Sequence, residues 1–221
     1  MIEIRDLRFR YREGGFALAV SELGIAAGER VALVGPSGSG KTTLISLVAG
    51  ILRPDAGSIR VGDVRLEDRN DRQLREFRIS NIGFVFQEFE LLDYLCVGEN
   101  ILLPYYLNAA LELSPEARRA AESLAAGMGL ADKLRRHPAT LSQGERQRVA
   151  ICRALVTAPR LLIADEPTGN LDPVSAAAIV DLLVREAERR GATLLTVTHN
   201  HALLDAFDRT IDVAGFLAEA G

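Results

Sequence analysis

Nine consecutive residues near the N-terminus combine glycines and hydroxyls with one lysine. The stretch GPSGSGKTT follows an apolar run at residues 31–34 that has the composition of a buried strand. Glycines let successive backbone N–H groups point into one concavity, and a following helix adds partial positive charge at its N-terminus. The lysine adds a full charge, so this stretch predicts a site for a polyphosphate. Its members are Gly35, Pro36, Ser37, Gly38, Ser39, Gly40, Lys41, Thr42 and Thr43.

Two acids stand at the end of a second apolar run, in RLLIADEP at residues 160–167. Ligands of open α/β sheets bind beyond the carboxyl ends of the strands. Asp165 is therefore expected to hold Mg²⁺ beside the hydroxyl of Thr42, and Glu166 to polarise a water molecule near the terminal phosphate. Together with the glycine-rich stretch, this pair predicts hydrolysis.

A second anion-binding motif begins the stretch LSQGERQRVAICRAL at residues 141–155. Ser142 and Gly144 open an amphipathic helix pattern with several arginines, and a helix N-terminus of this kind offers backbone N–H groups and a hydroxyl to phosphate. One nucleotide does not need two such sites from one chain. The sequence therefore predicts a head-to-tail pair, in which Ser142 and Gly144 of one chain complete the site around the nucleotide held by Lys41 of the other.

The elements that must position these residues predict an α/β fold. Residues 2–35 indicate antiparallel strands that lead into the strand before the glycines, GSIRVGDVRL indicates a hairpin, and SNIGFVFQ indicates a buried strand ending at Gln87. Residues 88–155 are typical of helices, with Ser114 and Pro115 beginning one of them, and strands alternate with helices afterwards, ending with a helix near NHALLDAF. We expect one domain over 1–221: a nucleotide-binding core with a mainly parallel sheet (1–87 and 156–221), an N-terminal antiparallel β subdomain, and an inserted helical subdomain (88–155).

Composition limits the classes of partner. The 221 residues carry a net charge of −4 and no polybasic tail, so no nucleic-acid partner is expected. No apolar run approaches the roughly 18 to 20 residues that span a bilayer, so a membrane role requires a partner. Cys96 and Cys152 lack metal-site or redox spacing, and we interpret them as small buried hydrophobic residues in a reducing compartment.

Nearly the whole chain resembles the ATP-binding subunits of ABC transporters, because its motifs occur in the order typical of that family. Residues 35–43 match the Walker A loop, LSQGE the signature, LLIADEP Walker B, and GNLD at 169–172 the D-loop. The resemblance implies ATP and Mg²⁺ as cofactors, with an aromatic residue stacked on adenine and catalytic residues around the terminal phosphate. The site residues it implies are Tyr11 on adenine, Gln87 as Q-loop and Mg²⁺ ligand beside Thr42 and Asp165, Glu166 and His199 in catalysis, Asp172 in the D-loop, and Ser142, Gln143, Gly144 and Glu145 on the facing nucleotide.

One departure concerns the signature itself. The commonest form is LSGGQ, whereas this chain has Gln143 and Glu145 at the third and fifth positions. Gln143 adds bulk where the nucleotide of the partner chain is expected to dock. Ser142 and Gly144, the expected phosphate contacts, are present, so hydrolysis is still predicted.

Within the family, the sequence in and between the motifs most resembles that of the lipoprotein-releasing and macrolide-exporter ATPases. That resemblance implies peripheral binding to the cytoplasmic face of the membrane through an integral membrane permease, and the one complete set of motifs in the chain indicates a homodimer. Apolar residues after Gln87 are predicted either to form part of a groove for a coupling helix of the permease, within residues 87–106, or to belong to the core of the helical subdomain itself. They are Phe89, Leu91, Leu92, Tyr94 and Leu95.

Three other interpretations were weighed. The signature helix and His199 argue against a kinase. The sequence contains no N-K-x-D motif, which specifies guanine, and this argues against a GTPase. A DNA-repair or chromosome ABC ATPase disagrees with the absence of long coiled coils, zinc modules and basic surfaces in the sequence. An ATP-gated regulatory switch of a membrane complex, like the related cell-division ATPase, has the same motifs and stays open, since only the partner separates it from a transporter.

Overall fold

The computed structural model describes residues 1–12 and 15–217. Strands and α-helices follow one another there in the order β1 Ile2–Arg10, β2 Ala17–Ile25, β3 Arg30–Val34, α1 Lys41–Val48, β4 Ala56–Val61, β5 Val64–Arg65, α2 Asp71–Asn81, β6 Ile82–Val85, α3 Val97–Leu107, α4 Pro115–Gly127, α5 Gln143–Leu155, β7 Leu161–Asp165, α6 Pro173–Arg190, β8 Thr193–Val197 and β9 Arg209–Asp212.

The first sheet is antiparallel, with strand order β2-β1-β4-β5. In its register, Ile4 lies opposite Leu23 on one side and Ile59 on the other. Buried and exposed residues alternate along β2, as expected for a sheet with one face on a core. The predicted antiparallel β layer and the hairpin at residues 56–65 are both confirmed.

The second sheet is parallel, with strand order β6-β7-β8-β3-β9. Its inner strands are almost wholly buried, which explains why they read as continuous apolar runs in the sequence. The carboxyl ends of β6, β7, β8 and β3 are neighbours at one edge. The segments carrying Gln87, Glu166, His199 and the glycine-rich stretch therefore meet there, and the α/β fold is confirmed.

Two hydrophobic cores cover the two faces of this parallel sheet. Successive side chains of β7 point to opposite faces. Leu161 and Ile163 pack in the core that holds α1 and the antiparallel sheet, whereas Leu162 and Ala164 pack in the core that holds α3 to α6. Helix α5 belongs to residues 88–155 yet contacts both β6 and α6, so the division into core and helical subdomain remains a prediction.

Several local expectations need correction. Helix α2 was not predicted, although Asn70 and Gln73 form a complete capping box at its start. The predicted last helix is a 3₁₀ helix at His201–Ala206, and the strand before Gln87 already ends at Val85. Cys152 is buried as predicted, but Cys96 is only half-buried, at the N-cap position of α3.

Candidate nucleotide-binding and hydrolysis site

The glycine-rich stretch wraps the N-terminus of α1. Gly35 and Gly40 adopt φ values of 141° and 94°, which disfavour residues that carry a Cβ. A Cβ on Gly40 would also lie 2.6 Å from the ring of Phe16. No side chain caps α1, which begins at Lys41. The first N–H groups of the helix are thus available to an anion.

Lys41 lies across this loop. Its Nζ donates to the carbonyl oxygens of Gly35 at 2.7 Å and Pro36 at 2.9 Å. The positive charge is therefore held at the mouth of the loop, where the phosphates of a nucleotide would meet it. Ser39 lies beneath, only 1% exposed, and its hydroxyl has no hydrogen-bond partner among the described residues.

A cavity of about 420 Å³ opens beside the loop. It brings together predicted residues from five separate stretches of chain, and it adds two that the sequence did not indicate, Phe16 and Val197. The lining residues are Tyr11, Phe16, Ser37, Gly38, Gly40, Lys41, Thr42, Thr43, Gln87, Glu166, Val197 and His199.

An aromatic wall bounds one side of the cavity. The ring of Tyr11 is 40% exposed and packs edge-on against Phe9, with centroids 4.8 Å apart. Its hydroxyl lies 3.3 Å from Oγ1 of Thr43 at the start of α1. The exposed ring face, next to Phe16 and close to the phosphate loop, can stack on a planar base.

The metal donors predicted from the sequence converge. Thr42 Oγ1 donates to Oδ2 of Asp165 at 3.2 Å, and Gln87 lines the same cavity. Burial raises the pKa of the Asp165 carboxyl, while the hydrogen bond from Thr42 opposes that change. Hydroxyl, carboxylate and amide oxygens are hard ligands of the kind Mg²⁺ prefers, so these side chains fit that ion.

Glu166 and His199 form a contact pair at the edge of the parallel sheet. Nδ1 of His199 lies 2.7 Å from Oε2 of Glu166. The backbone of Glu166 has a φ of 47°, an unfavourable value for a residue with a side chain, and its N–H donates to Val197 O at 3.0 Å. This backbone geometry turns the carboxylate into the cavity, where it can accept a proton from a water molecule.

Sequence comparison agrees with this geometry. A family model described as ABC transporter matches residues 18–169. The chain belongs to this family. It is an ABC-type ATPase, with ATP and Mg²⁺ as its cofactors.

Relatives of this ABC ATPase match it over nearly their whole length. The lipoprotein-releasing system ATP-binding protein LolD of Nitrobacter winogradskyi is 39% identical, covering 96% of this chain and 92% of the relative. The LolD protein of Geobacter metallireducens is 42% identical, covering 96% and 94%. Among solved structures, the ATP-binding cassette MJ0796, in a dimeric post-hydrolysis state bound to ADP and Pi, has a TM-score of 0.83 and 32% identity, covering 96% of this chain and 94% of that chain.

The signature residues of the ABC ATPase begin α5. Ser142 accepts a hydrogen bond from the N–H of Glu145 at 3.3 Å, and the Glu145 carboxylate accepts one from the N–H of Ser142 at 2.8 Å. Glu145 at the fifth signature position thus completes a capping box. Residues 142–145 do not line the described cavity around Lys41.

The D-loop contacts the Q-loop within the same chain. Asn170 donates from Nδ2 to the carbonyl of Gln87 at 3.2 Å, and a Cβ on Gly169 would lie 2.8 Å from the Gln87 side chain. Asp172 caps α6 by accepting from the N–H groups of Val174 and Ser175. The structure therefore does not bring Asp172 to the cavity, and its predicted nucleotide contact stays a prediction. Asn170 was missed, since nothing in the sequence marks a side-chain bond to a distant carbonyl.

Proposed function

We propose that the chain works as a homodimer that powers a membrane-embedded transporter of the lipoprotein-releasing or macrolide-exporter type. The observation that carries this proposal is the 39–42% identity to LolD proteins over nearly the full length of both chains. No helix within the described residues is long and apolar enough to cross a bilayer. The proposed location is peripheral, on the cytoplasmic face of the membrane, through a permease.

Gly144 supports the head-to-tail dimer. A Cβ at this position would meet only the Arg148 side chain, at 3.8 Å, so the packing of the chain itself leaves room for a larger residue. A glycine lowers the stability of a helix, and its presence here therefore favours close approach by something outside the chain. The phosphates held by a second copy match that requirement, and MJ0796 provides a dimeric example.

In the proposed mechanism, each nucleotide is held by one chain and covered by the signature residues of the other. Tyr11 stacks on adenine, and the N–H groups of residues 37–43 with Lys41 bind the phosphates. Thr42, Asp165 and Gln87 hold Mg²⁺, which when bound neutralises phosphate charge.

Hydrolysis is assigned to the contact pair at the sheet edge. The Glu166 carboxylate orients the attacking water and takes its proton. Its 2.7 Å contact with His199 fixes one carboxylate oxygen, which leaves the other free to face the water. We propose that His199 also contacts the γ-phosphate and links it to the D-loop of the facing chain.

A second cavity, of about 410 Å³, supports the permease interface. We call it the groove; it lies between α2, β6, α3 and α5. Apolar side chains such as Phe84, Leu103 and Leu107 line it, together with three arginines and one glutamate. We propose that it receives a short cytoplasmic helix of the permease, one that carries a carboxylate to match the charge. The basic and acidic members are Arg75, Arg78, Arg153 and Glu90.

The position of the groove refines the expectation from the sequence. The groove includes Glu90, Leu103 and Pro104 from residues 87–106, whereas the five apolar side chains named from the sequence do not line it, so the proposed site differs in its residues from the expectation based on the sequence. Tyr94, for instance, is 76% exposed outside the groove. From the segment after Gln87 only Glu90 lines the groove, while α2, β6, α3 and α5 together supply most of its walls.

The experiment is a pull-down from membranes with the Glu166→Gln chain held in the ATP state, followed by mass spectrometry. A partner with few transmembrane helices and a large extracytoplasmic domain would support the proposal. A many-helix partner that forms a pathway would indicate an ordinary permease, and a partner without a transport pathway would favour the regulatory switch. No membrane partner at all would contradict transport.

Matched variants locate the interface in the same experiment. Leu107→Glu places a charge in the groove at a residue that is 69% exposed, so the fold should tolerate it. Tyr94→Glu does the same at a 76% exposed residue outside the groove. We expect only Leu107→Glu to lose the membrane partner while keeping ATPase activity, and equal retention by both variants would remove the groove from the interface.

A further inference from the structure

The chain that follows Gln87 takes an unusual path. Residues 88–96, which we call the Q-exit segment, lie between β6 and α3 and contain no strand or helix. Phe89 and Glu90 adopt φ values of 59° and 50°, so two consecutive residues with side chains occupy the left-handed region. This conformation is unfavourable for both, and it persists only where other contacts hold it.

Arg153 provides such contacts. Its guanidinium donates to the carbonyl oxygen of Phe89 at 2.6 Å and also to that of Glu90. The residue is only 9% exposed. A planar guanidinium can bond two neighbouring carbonyls at once, which a lysine ammonium does less well because it lacks the rigid fork. One side chain thus holds both left-handed residues.

The helix that carries Arg153 is itself firmly seated. A Cβ on Gly83 in β6 would lie 2.3 Å from the carbonyl oxygen of Ala154, so α5 packs directly on the backbone of the strand that leads to Gln87. The same helix begins at the signature residues. Arg153 therefore ties the Q-exit segment to an element whose other end is predicted to meet the second nucleotide.

We propose that Arg153 is a positioning residue that sets the path of the Q-exit segment and, through it, the placement of Gln87 in the cavity. It acts on backbone carbonyls and not on the nucleotide. Because Arg153 and Glu90 also line the groove, the contact lies where an occupant of the groove would reach it. The role does not depend on the identity of the membrane partner, so the two proposals can fail independently.

The direct test is hydrogen exchange of the purified chain without nucleotide. In Arg153→Met, the carbonyls of Phe89 and Glu90 lose their hydrogen-bond donor, so the segment is held less firmly. We therefore expect its backbone N–H groups to exchange faster, and the increase to be confined to residues 87–96. Arg153→Lys should give a smaller effect. A folded variant with unchanged exchange in this segment would overturn the proposal, and a uniform increase over the whole chain would show that Arg153 only stabilises the fold.

Steady-state ATPase kinetics provide a second readout. We expect the kcat of Arg153→Met to fall about tenfold, since small displacements of site residues can cost up to about 100-fold. The KM for ATP should change little, because the base and phosphate contacts come from Tyr11 and residues 35–43. Arg53→Met is the control: Arg53 also donates to a backbone carbonyl, that of Arg69, but lies outside the cavity and the groove. Equal kcat losses in the two variants would contradict a specific role.

A rescue variant tests the backbone argument itself. Glycine adopts φ near 50° without penalty, so Glu90→Gly should hold the left-handed conformation with less help from Arg153. We expect Glu90→Gly to raise the kcat of the Arg153→Met chain by a larger factor than it raises the kcat of the wild-type chain. Additive effects of the two substitutions would mean that Arg153 does not act through this turn.

Discussion

Gln147, fully buried within α5, donates a hydrogen bond from Nε2 to the carbonyl oxygen of Pro167 at 2.7 Å. Pro167 directly follows Glu166, so the signature helix is bonded to the backbone beside the hydrolytic carboxylate. The other amide atom, Oε1, is buried without a partner among the described residues. This one donor therefore connects the signature helix to the segment that carries Glu166.

Substitutions at Gln147 should distinguish the contribution of its hydrogen bond to the free energy of unfolding from that of its buried side-chain volume. Gln147→Met removes the hydrogen bond and leaves the carbonyl of Pro167 unpaired, at an expected cost of about 1–3 kcal/mol in the free energy of unfolding. Gln147→Glu keeps the shape but sets a carboxylate against a carbonyl in a buried site, and we expect a larger loss. Urea unfolding of both variants measures the difference. A Gln147→Met chain as stable as the wild-type chain would show that the donor is unimportant.

Glu166→Gln should abolish most turnover and keep nucleotide binding. The amide cannot take a proton from water, and removal of a group of this kind costs roughly 10²–10³ in rate. The phosphate and base contacts lie on other residues, so ATP affinity should hold. Single-turnover hydrolysis and equilibrium ATP binding measure the two properties, and persistent wild-type turnover would remove Glu166 from its role.

Two glycine-to-alanine changes should have opposite effects on stability. Gly40→Ala adds a Cβ at a φ of 94° and 2.6 Å from the Phe16 ring, so the variant should lose about 1 kcal/mol or more and bind ATP poorly. Gly144→Ala has space and lies in a helix, so it should gain about 0.5–1 kcal/mol.

The stabilised variant is the informative one for the dimer. If a second copy packs against Gly144, the Gly144→Ala chain should melt at a higher temperature and yet hydrolyse ATP more slowly and dimerise less with ATP. Light scattering and ATPase rates on the same sample measure this. Full activity in a stabilised Gly144→Ala chain would contradict the close approach.

An ion pair beside the phosphate-loop strand should make stability depend on pH. Arg30 in β3 donates to both carboxylate oxygens of Asp208, and this contact lowers the pKa of Asp208 to about 2 from its ordinary value of 3.8. Because the folded pKa is depressed, the pair stabilises the fold above pH 3.8, and the contribution is lost as pH falls toward 2. Allowing for solvent screening of an exposed pair, we expect about 1 kcal/mol.

Asp208→Asn tests this contribution. The variant should be less stable than the wild-type chain at pH 7, and the difference should shrink as the pH is lowered through 4 to 3. Asp63→Asn is the control, since Asp63 is 97% exposed and lies 3.9 Å from Arg160. A constant difference between wild type and Asp208→Asn across this pH range would remove Asp208 as the titrating group.

Motifs at the ends of apolar runs made the cavity predictable. Gln87, Glu166 and His199 stand just beyond the carboxyl ends of β6, β7 and β8, and Lys41 and Thr42 begin the helix that follows β3. Parallel strands bring such ends to one edge of the sheet. The family resemblance added Tyr11, which also lines the cavity. These side chains come together in one cavity because short sequence spacing and strand direction decide their placement.

Contacts between a side chain and a distant backbone carbonyl could not be predicted. Gln147, Arg153 and Asn170 all bond carbonyls far away in the chain, and a carbonyl is present at every residue, so no residue type marks the acceptor. The pairing of β9 with β3 is likewise nonlocal. Helix α2 differs, because the residues of its capping box, Asn70 and Gln73, are a local signal that the sequence itself carries.

The strand order β6-β7-β8-β3 determines where the chain can accept insertions and deletions. The separation between Gln87 and Glu166 is set by the hydrogen-bonded spacing of two adjacent strands, β6 and β7, and not by the many residues that connect them. Insertions or deletions in the surface turns between α3 and α5 therefore leave the geometry of hydrolysis intact. The same is not true of the short links from β7 to Glu166 and from β8 to His199, where one added residue would move a reacting group out of the cavity.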